Sequence, residues 1–488
     1  MEIKDRSAVI FGNEMSKKTV SKAIKKKASF IKKFGDDSNK VYHLNAEPIP
    51  CLSKMGVMNL VSNEEIKEPF AFPSNAMVVG NIRMGFGHYR ISIAIASCAK
   101  ALGYEPYWLD LASFEATGSK MIRYQNDLYS KASRISQKSK LFNHFFWEPL
   151  NSEGFRQISY NAADQKNSEL LVPIFNDLPK DIPYVATHVW PSQGAVHAGL
   201  THVVNAIPDN WPMALHLSEG AIHAVQTPFA YYGYKILNGM DKKPLKGIPD
   251  GELFEIGHYV DHELVENVEI DCDARIERAK TNRPMRILLT VGGAGAGAKQ
   301  FAAMISHLIP AVKENRATLF LNFGDHRTMY DYLCDKVPSF KELSVTHFEN
   351  YDDVLNLVDS LKEKDEKGIH CIYNKGIFEA VYSTNLLMRV TDFMVTKPSE
   401  LVFYPIPKVF MRHIGGHEVY GGIHGREEGD AIWECEDTKT MNLMLDRLLN
   451  DKDLLIHMAN TIKKLKGEGL YNGGYEAVKL AVKGFHKE

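Results

Sequence analysis

A strand, a glycine-rich turn and a buried helix follow one another twice in this chain, over residues 75–102 and 286–312, and few folds accommodate that repetition. The first unit opens with Asn75–Gly80, a short apolar run of strand type. The turn Gly80-Asn-Ile-Arg-Met-Gly-Phe-Gly-His-Tyr-Arg90 comes next, then a helix over Ile91–Leu102 closed by Gly103, then a strand over Pro106–Leu111. The second unit runs from the strand Arg286–Val291 through Gly292-Gly-Ala-Gly-Ala-Gly-Ala298 to a helix over Lys299–Val312 and a strand over Ala317–Gly324. Each is the unit that opens a doubly wound sheet. Together they predict an α/β chain with two Rossmann-like domains facing across a cleft. Glycines let the backbone approach a ligand closely, and a helix N-terminus offers free N–H groups and a positive partial charge. His88 falls where the first turn meets its helix. An imidazole there suits a general base, because it titrates near neutrality; it equally suits a capping or packing residue.

The remaining bounds are loose. A length of 488 residues leaves room for two or three domains. The formal net charge of -2 gives no overall pull toward nucleic acid or membrane, and no nucleic-acid partner is expected. Six cysteines without a Cys-x-x-Cys pair suggest neither a zinc site nor a disulfide framework, and fit a reduced cytoplasmic setting. The N-terminus lacks the apolar core of a signal peptide, and no long uncharged apolar run predicts a membrane span. Residues 16–34 are lysine-rich, with Val20, Ile24, Ile31 and Phe34 on one helical face. Such a helix could lie on an anionic membrane as a peripheral contact, or pack its narrow stripe on the protein; the second is favoured, since charge runs are commonly solvated faces.

The sequence divides into a basic extension at 1–74, a first Rossmann-like domain at 75–262, a second at 284–440 and helices at 441–488. Residues 113–169 read as helical, with an aromatic-rich run at 141–147 suited to an acceptor-side lobe. Strands are predicted in Ile182–His188, Thr201–Ile207, Ala221–Thr227 and Leu253–Val260. Asp209 follows the second of these, at the carboxyl end where ligands bind in such sheets. Five histidines from His188 to His223 lack a tight ligand spacing and are expected to scatter over both sheet faces. Residues 261–283 show no core pattern and read as the interdomain linker. Further strands are expected at Thr391–Thr396 and Lys408–Arg412, and two or three helices over 438–485 broken at Gly467–Gly474.

Val395-Thr-Lys-Pro-Ser-Glu-Leu, then Pro405-Ile-Pro-Lys-Val, then Gly416-His-Glu resembles the donor-binding region of the GT-B-fold, UDP-sugar-dependent glycosyltransferases that include monogalactosyldiacylglycerol synthases and the N-acetylglucosaminyltransferase forming lipid II. Gly85-Phe-Gly-His88 is similar to their Gly-Gly-His turn, and Val291–Ala298 looks like their second glycine loop. The resemblance covers roughly residues 75–440. It implies that Glu400 holds the donor ribose, and that Gly293, Ala294, Gly295 and Gly297 with Ser399 cradle the diphosphate. It also implies that His417 and Glu418 reach the sugar, and that His88, with Asp209 as partner or rival, activates the acceptor hydroxyl beside Gly85, Gly87 and Arg90. The turn before Glu400 is shorter than the family's, and Pro405 and Pro407 limit any helix after it.

The activity so implied is transfer of a sugar from a nucleotide-diphosphate sugar, UDP-linked, to a glycan, lipid or small-molecule hydroxyl, with inversion and without cofactor or metal. Asp271-Cys-Asp273 has metal-motif spacing but lies in the linker. Two alternatives stand beside it: a nucleotide-sugar epimerase on the same fold, and a catalytically silent nucleotide-sugar-binding regulator.

Overall fold

The computed structural model describes residues 5–484 apart from 64, 66, 67, 139–149, 293–296 and 414. The aromatic-rich run at 141–147 lies outside the described residues. Two sheets carry the chain. The first has strands β1 (Asn45–Pro48), β2 (Met58–Val61), β3 (Ala76–Asn81), β4 (Glu105–Asp110), β5 (Tyr184–Ala186), β6 (Val203–Ala206), β7 (Ile222–Val225) and β8 (Leu253–Glu255), in the spatial order β8-β7-β6-β5-β3-β4-β2-β1. All its pairs are parallel except β1 with β2. The second has β9 (Met285–Thr290), β10 (Ala317–Asn322), β11 (Ser344–Phe348), β12 (Ile369–Tyr373), β13 (Phe393–Thr396), β14 (Lys408–Met411) and β15 (Ala431–Cys435), ordered β11-β12-β10-β9-β13-β14-β15 and wholly parallel. The protein is thus the α/β architecture of two Rossmann-like domains. Central strands such as β3 and β9 are buried along their whole length, as parallel strands covered on both faces must be.

Six helices bear on the site: α1 (Lys17–Phe34), α2 (Gly87–Ala101), α3 (His262–Lys280), α4 (Ala298–Lys313), α5 (Ile377–Met388) and α6 (Val419–Glu428). Helix α2 is buried on nearly every side from Tyr89 to Ala99, because it touches its own sheet, α3, α5 and the last helix of the chain. That last helix, Gly473–Lys483, returns to the first domain: a Cβ at Gly474 would come within 2.7 Å of the Cys98 sulfur. The 438–485 region forms three helices, with the break between Gly467 and Gly473.

Three sequence expectations change. Residues 40–74, read as an extension, supply β1 and β2 to the first sheet. Residues 261–283, read as a linker, are mostly α3, whose buried face mixes Leu264, Val265, Val268 and Cys272 with Asp271, Arg275 and Arg278. Arg275 donates to the carbonyls of Met388 and Thr391, and Arg278 pairs with Asp392, so charged residues carry core positions and mask the period. In α1 the buried residues are Ala23 and Phe30, while Ile24 is exposed. Ile31 and Phe34 pack on the first-domain core, Phe34 meets Tyr124, and Lys27 pairs with Glu169, so the chain itself covers the C-terminal half of the stripe. Among the described residues no helix is long and apolar enough to cross a membrane.

The turn that follows β13 is held from below by a buried ion pair. Lys408 is fully buried; its Nζ donates to the carbonyls of Tyr404 and Ile406 and lies 2.5 Å from Asp430 Oδ2. Removing one partner of such a pair leaves an uncompensated charge in the interior. Asp430→Ala is therefore expected to cost about 3–5 kcal/mol of stability, read as a lower urea midpoint. An unchanged midpoint would show that Lys408 is not committed to this pair.

Candidate functional site

The first glycine-rich turn docks directly on the second domain. Phe86 lies over Gly324, in the turn after β10, where φ is +59° and a Cβ would come within 2.5 Å of the Phe86 ring. Arg83 pairs with Asp325 at 2.7 Å. At Gly87 a Cβ would sit 3.2 Å from Glu400 Oε2, so the second-domain carboxylate rests on the first turn of α2. A side chain there would press the carboxylate back by a few tenths of an ångström.

Arg90, predicted as an acceptor-side residue, is instead buried between the domains at 2 % exposure. Its guanidinium donates to the carbonyl of Val381 and to Asn385 Oδ1 on α5, and its Nε stands 3.6 Å from Glu400 Oε1. Asn385 Nδ2 in turn donates to Asp261 Oδ2, the N-cap of α3. The position corrects the expectation: one turn into α2, the side chain points away from the turn's mouth and into the helix–helix contact.

His88 is half-buried at the start of α2. Its Nδ1 lies 2.6 Å from the Thr187 carbonyl oxygen, so Nδ1 carries the proton and donates, which leaves Nε2 with a lone pair. Burial pushes its pKa below the ordinary imidazole value, against the opposing pull of the Thr187 carbonyl and the Asp209 carboxylate; His216 adds to the lowering and Glu400 opposes it. The ring meets that of His188 edge-on at 4.9 Å. Asp209 Oδ2 lies 2.9 Å from His216 Nε2. Thus His88, His188, Asp209 and His216 gather where the strands of the first sheet end, and Glu400 reaches them from the second domain. The histidines expected to scatter do not all do so. His188 caps the helix Val189–His197 and His216 lies in a short 3-10 turn, so neither obeys the strand alternation.

On the second-domain side, Ser399 and Glu400 open a 3-10 turn of four residues, Glu400–Phe403, short as Pro405 and Pro407 require. Gly297, at φ +91°, precedes α4. Gly293, Ala294 and Gly295 lie outside the described residues. Glu418 Oε1 is 2.5 Å from Lys397 Nζ; the backbone of His417 lies in the same 3-10 turn, Gly416–Glu418, and its side chain is outside the described residues. Gly85, at φ +77°, has open space where a side chain would be.

Lys397 was not singled out by motif. Its side chain reaches Gly292, at the head of the glycine loop, with Cε 3.0 Å from where a Cβ would be. Glu418 and Glu400 raise its pKa against the effect of burial, so it stays charged. The signal lay in the quoted Thr-Lys-Pro-Ser-Glu run. Asp271 and Asp273 are engaged elsewhere, with Arg389 and Lys463.

At the far rim Trp211 stacks on Tyr420 with centroids 4.1 Å apart, and Asn210 Nδ2 donates to the Tyr420 carbonyl. A separate cavity of about 790 Å³ between the domains, lined by Cys51, Lys100, His262, Tyr351 and Glu379, contains none of the predicted site residues.

Residues 9–236 match the family model described as Domain of unknown function (DUF6937), and residues 248–482 match Domain of unknown function (DUF6938). No curated protein matches the sequence. Among solved structures, the chain is similar to UDP-GlcNAc 2-epimerase from Neisseria meningitidis bound to UDP-GlcNAc, with 10 % identity, TM-score 0.45, and 84 % of this chain and 100 % of that one covered. It is similar to alpha,alpha-trehalose 6-phosphate synthase from Burkholderia multivorans, with 11 % identity, TM-score 0.41 and coverage of 84 % and 98 %. A third is the spinosyn rhamnosyltransferase SpnG complexed with thymidine diphosphate, at 11 % identity, TM-score 0.29 and coverage of 84 % and 97 %.

Arg90→Leu would leave Asn385 and the Val381 carbonyl without their donor and Glu400 without its ion-pair partner. It is expected to destabilise the protein by about 3 kcal/mol and to enlarge the particle in small-angle scattering as the domains part. Unchanged scattering and melting would remove Arg90 from the interdomain contact.

Proposed function

We propose that the chain binds a nucleoside-diphosphate sugar, UDP-linked, in the cleft and transfers the sugar to an acceptor hydroxyl with inversion. The observation that carries this reading is the His88 imidazole, held by Thr187 in the tautomer whose Nε2 can accept a proton, beside a carboxylate from the opposite domain. The donor diphosphate would lie at the N-terminus of α4, where free N–H groups and Lys397 offset its charge as it departs. Glu400 would accept hydrogen bonds from the ribose hydroxyls, and Ser399, Gly297 and the turn bearing His417 and Glu418 would border the donor. The acceptor oxygen, losing its proton to His88 Nε2, would attack the anomeric carbon as the bond to the diphosphate breaks. A glycan, lipid or small molecule could supply that hydroxyl.

The Asp209–His216 pair beside His88 favours a second reading, a nucleotide-sugar epimerase, because inversion at a carbon needs one group to remove a proton and another to return it. Incubation of each nucleotide sugar in deuterated water separates the two. Deuterium in an inverted sugar without acceptor marks an epimerase; product formed only with an acceptor marks a transferase. Binding without either product would reduce the protein to a regulator.

His88→Ala is expected to lower turnover by roughly 100- to 10,000-fold while donor affinity changes little. The base is active when neutral, and its pKa lies below the ordinary value, so kcat/KM should stay flat at neutrality and fall only on the acid side. Asp209→Asn removes a charge that favours the imidazolium and should move that fall to lower pH. A mutant that keeps turnover but loses donor affinity would make His88 a binding residue.

A further inference from the structure

A second constellation lies further along α6, one and two turns beyond Tyr420. His258 follows β8, at the end of the first sheet's last strand; His424 and Glu428 lie one turn apart on α6. Among the described residues they form the one group of three whose potential ligand atoms converge. His258 Nε2 is 3.0 Å from His424 Nε2 and 3.8 Å from Glu428 Oε2, and His424 Nε2 is 3.0 Å from Glu428 Oε1.

We propose that His258, His424 and Glu428 form a tetrahedral zinc site, with water in the fourth position, that pins α6 to the crossing between the two domains.

His258 Nδ1 lies 3.1 Å from the Phe403 carbonyl and donates its proton there, so the neutral ring presents a lone pair at Nε2. That lone pair faces the Glu428 carboxylate across 3.8 Å. Without a cation, the single N–H of a neutral His424 has to serve both acceptors at once. A divalent ion satisfies all three donors together. Zinc–nitrogen and zinc–oxygen bonds of roughly 2.0–2.2 Å in a tetrahedron place the ligand atoms about 3.3 Å apart, inside the range seen here. Two imidazoles and one carboxylate are a ligand set that zinc uses with a water completing the coordination. The outer shell also fits: a metal-bound imidazole ordinarily donates its other N–H to a carbonyl, as His258 does to Phe403. The Phe403 and Tyr471 rings flank His258 at 4.9 and 5.8 Å and give the site an apolar wall. His258 is fully buried, but the His424 and Glu428 side chains each keep 15 % exposure, which leaves a way in for ion and water.

The placement gives the site a consequence. The His258 backbone N–H donates to Leu470, so this residue already ties the first domain to the C-terminal helices. Helix α6 carries Tyr420, which stacks on Trp211 at the cleft rim, and follows directly on Glu418. An ion joining them fixes one wall of the cleft to the crossing.

The test uses the full chain freed of any histidine tag and stripped with chelator. Zinc alone should bind at about one equivalent, raise the melting temperature, and survive dialysis against a weak chelator. Cobalt in its place should give the intense visible bands of tetrahedral coordination. His424→Ala and Glu428→Gln, at partly exposed positions that should fold, are each expected to weaken zinc binding at least ten-fold. His307→Ala, a surface histidine paired with Asp446, should leave it unchanged. No stoichiometric zinc on the wild-type chain, cobalt spectra of the octahedral aqueous kind, or binding that survives both substitutions would overturn the proposal and leave a hydrogen-bonded triad.

Discussion

Arg90 is buried where α2 of the first domain meets α5 of the second, and its guanidinium is shared by Val381, Asn385 and Glu400. A buried guanidinium is costly unless acceptors and an opposite charge meet it. Here Val381 and Asn385 of the second domain accept from Nη1, and Glu400 of the same domain matches the charge at 3.6 Å from Nε. The cost of burying Arg90 therefore couples the two sheets: pulling them apart would strand the charge-bearing groups on both sides. Glu400 is drawn to the first domain by the same charge, and the missing side chain of Gly87 lets it come close.

That contact brings together groups that lie far apart in the chain. His88 stands at the first residues of α2 because the turn ends there, and the carboxyl ends of β5 and β6 deliver Thr187, His188 and Asp209 beside it. Thr187 fixes the tautomer of His88, Asp209 and His216 pair, and Glu400 closes the group from across the cleft. The chemistry of the site thus depends on docking as much as on the motifs. Lys397, beside Gly292 at the head of the second glycine loop, is paired with Glu418.

Both opening units were legible in the sequence because strand, turn and helix each carried its own signal. β3, α2, β9 and α4 fall within a few residues of where the pattern puts them, α2 beginning earlier, inside the turn. The strand Ser344–Phe348 was not legible: it is a partly exposed edge strand of mixed polarity, with no apolar run to mark it. Helix α3 passed for a linker because Arg275, Arg278 and Asp271 occupy buried positions and are matched by partners remote in sequence. Arg90 was placed at the mouth of the turn because sequence order says nothing of which helix face meets another domain. The gathering of His188 and His216 was hidden for a related reason. Both sit just past strand ends, where loop geometry rather than alternation sets direction.

If the proposed function holds, a nucleotide sugar bridges the second glycine loop, Glu400 and His88 in one cleft. A crystal structure of the full chain with the UDP-sugar that most raises its melting temperature would show this. The diphosphate is expected at the N-terminus of α4 beside Lys397, the ribose on Glu400, and the sugar within reach of His88 Nε2. A nucleotide bound elsewhere, or a sugar with His88 turned away from it, would refute the proposed role of this cleft.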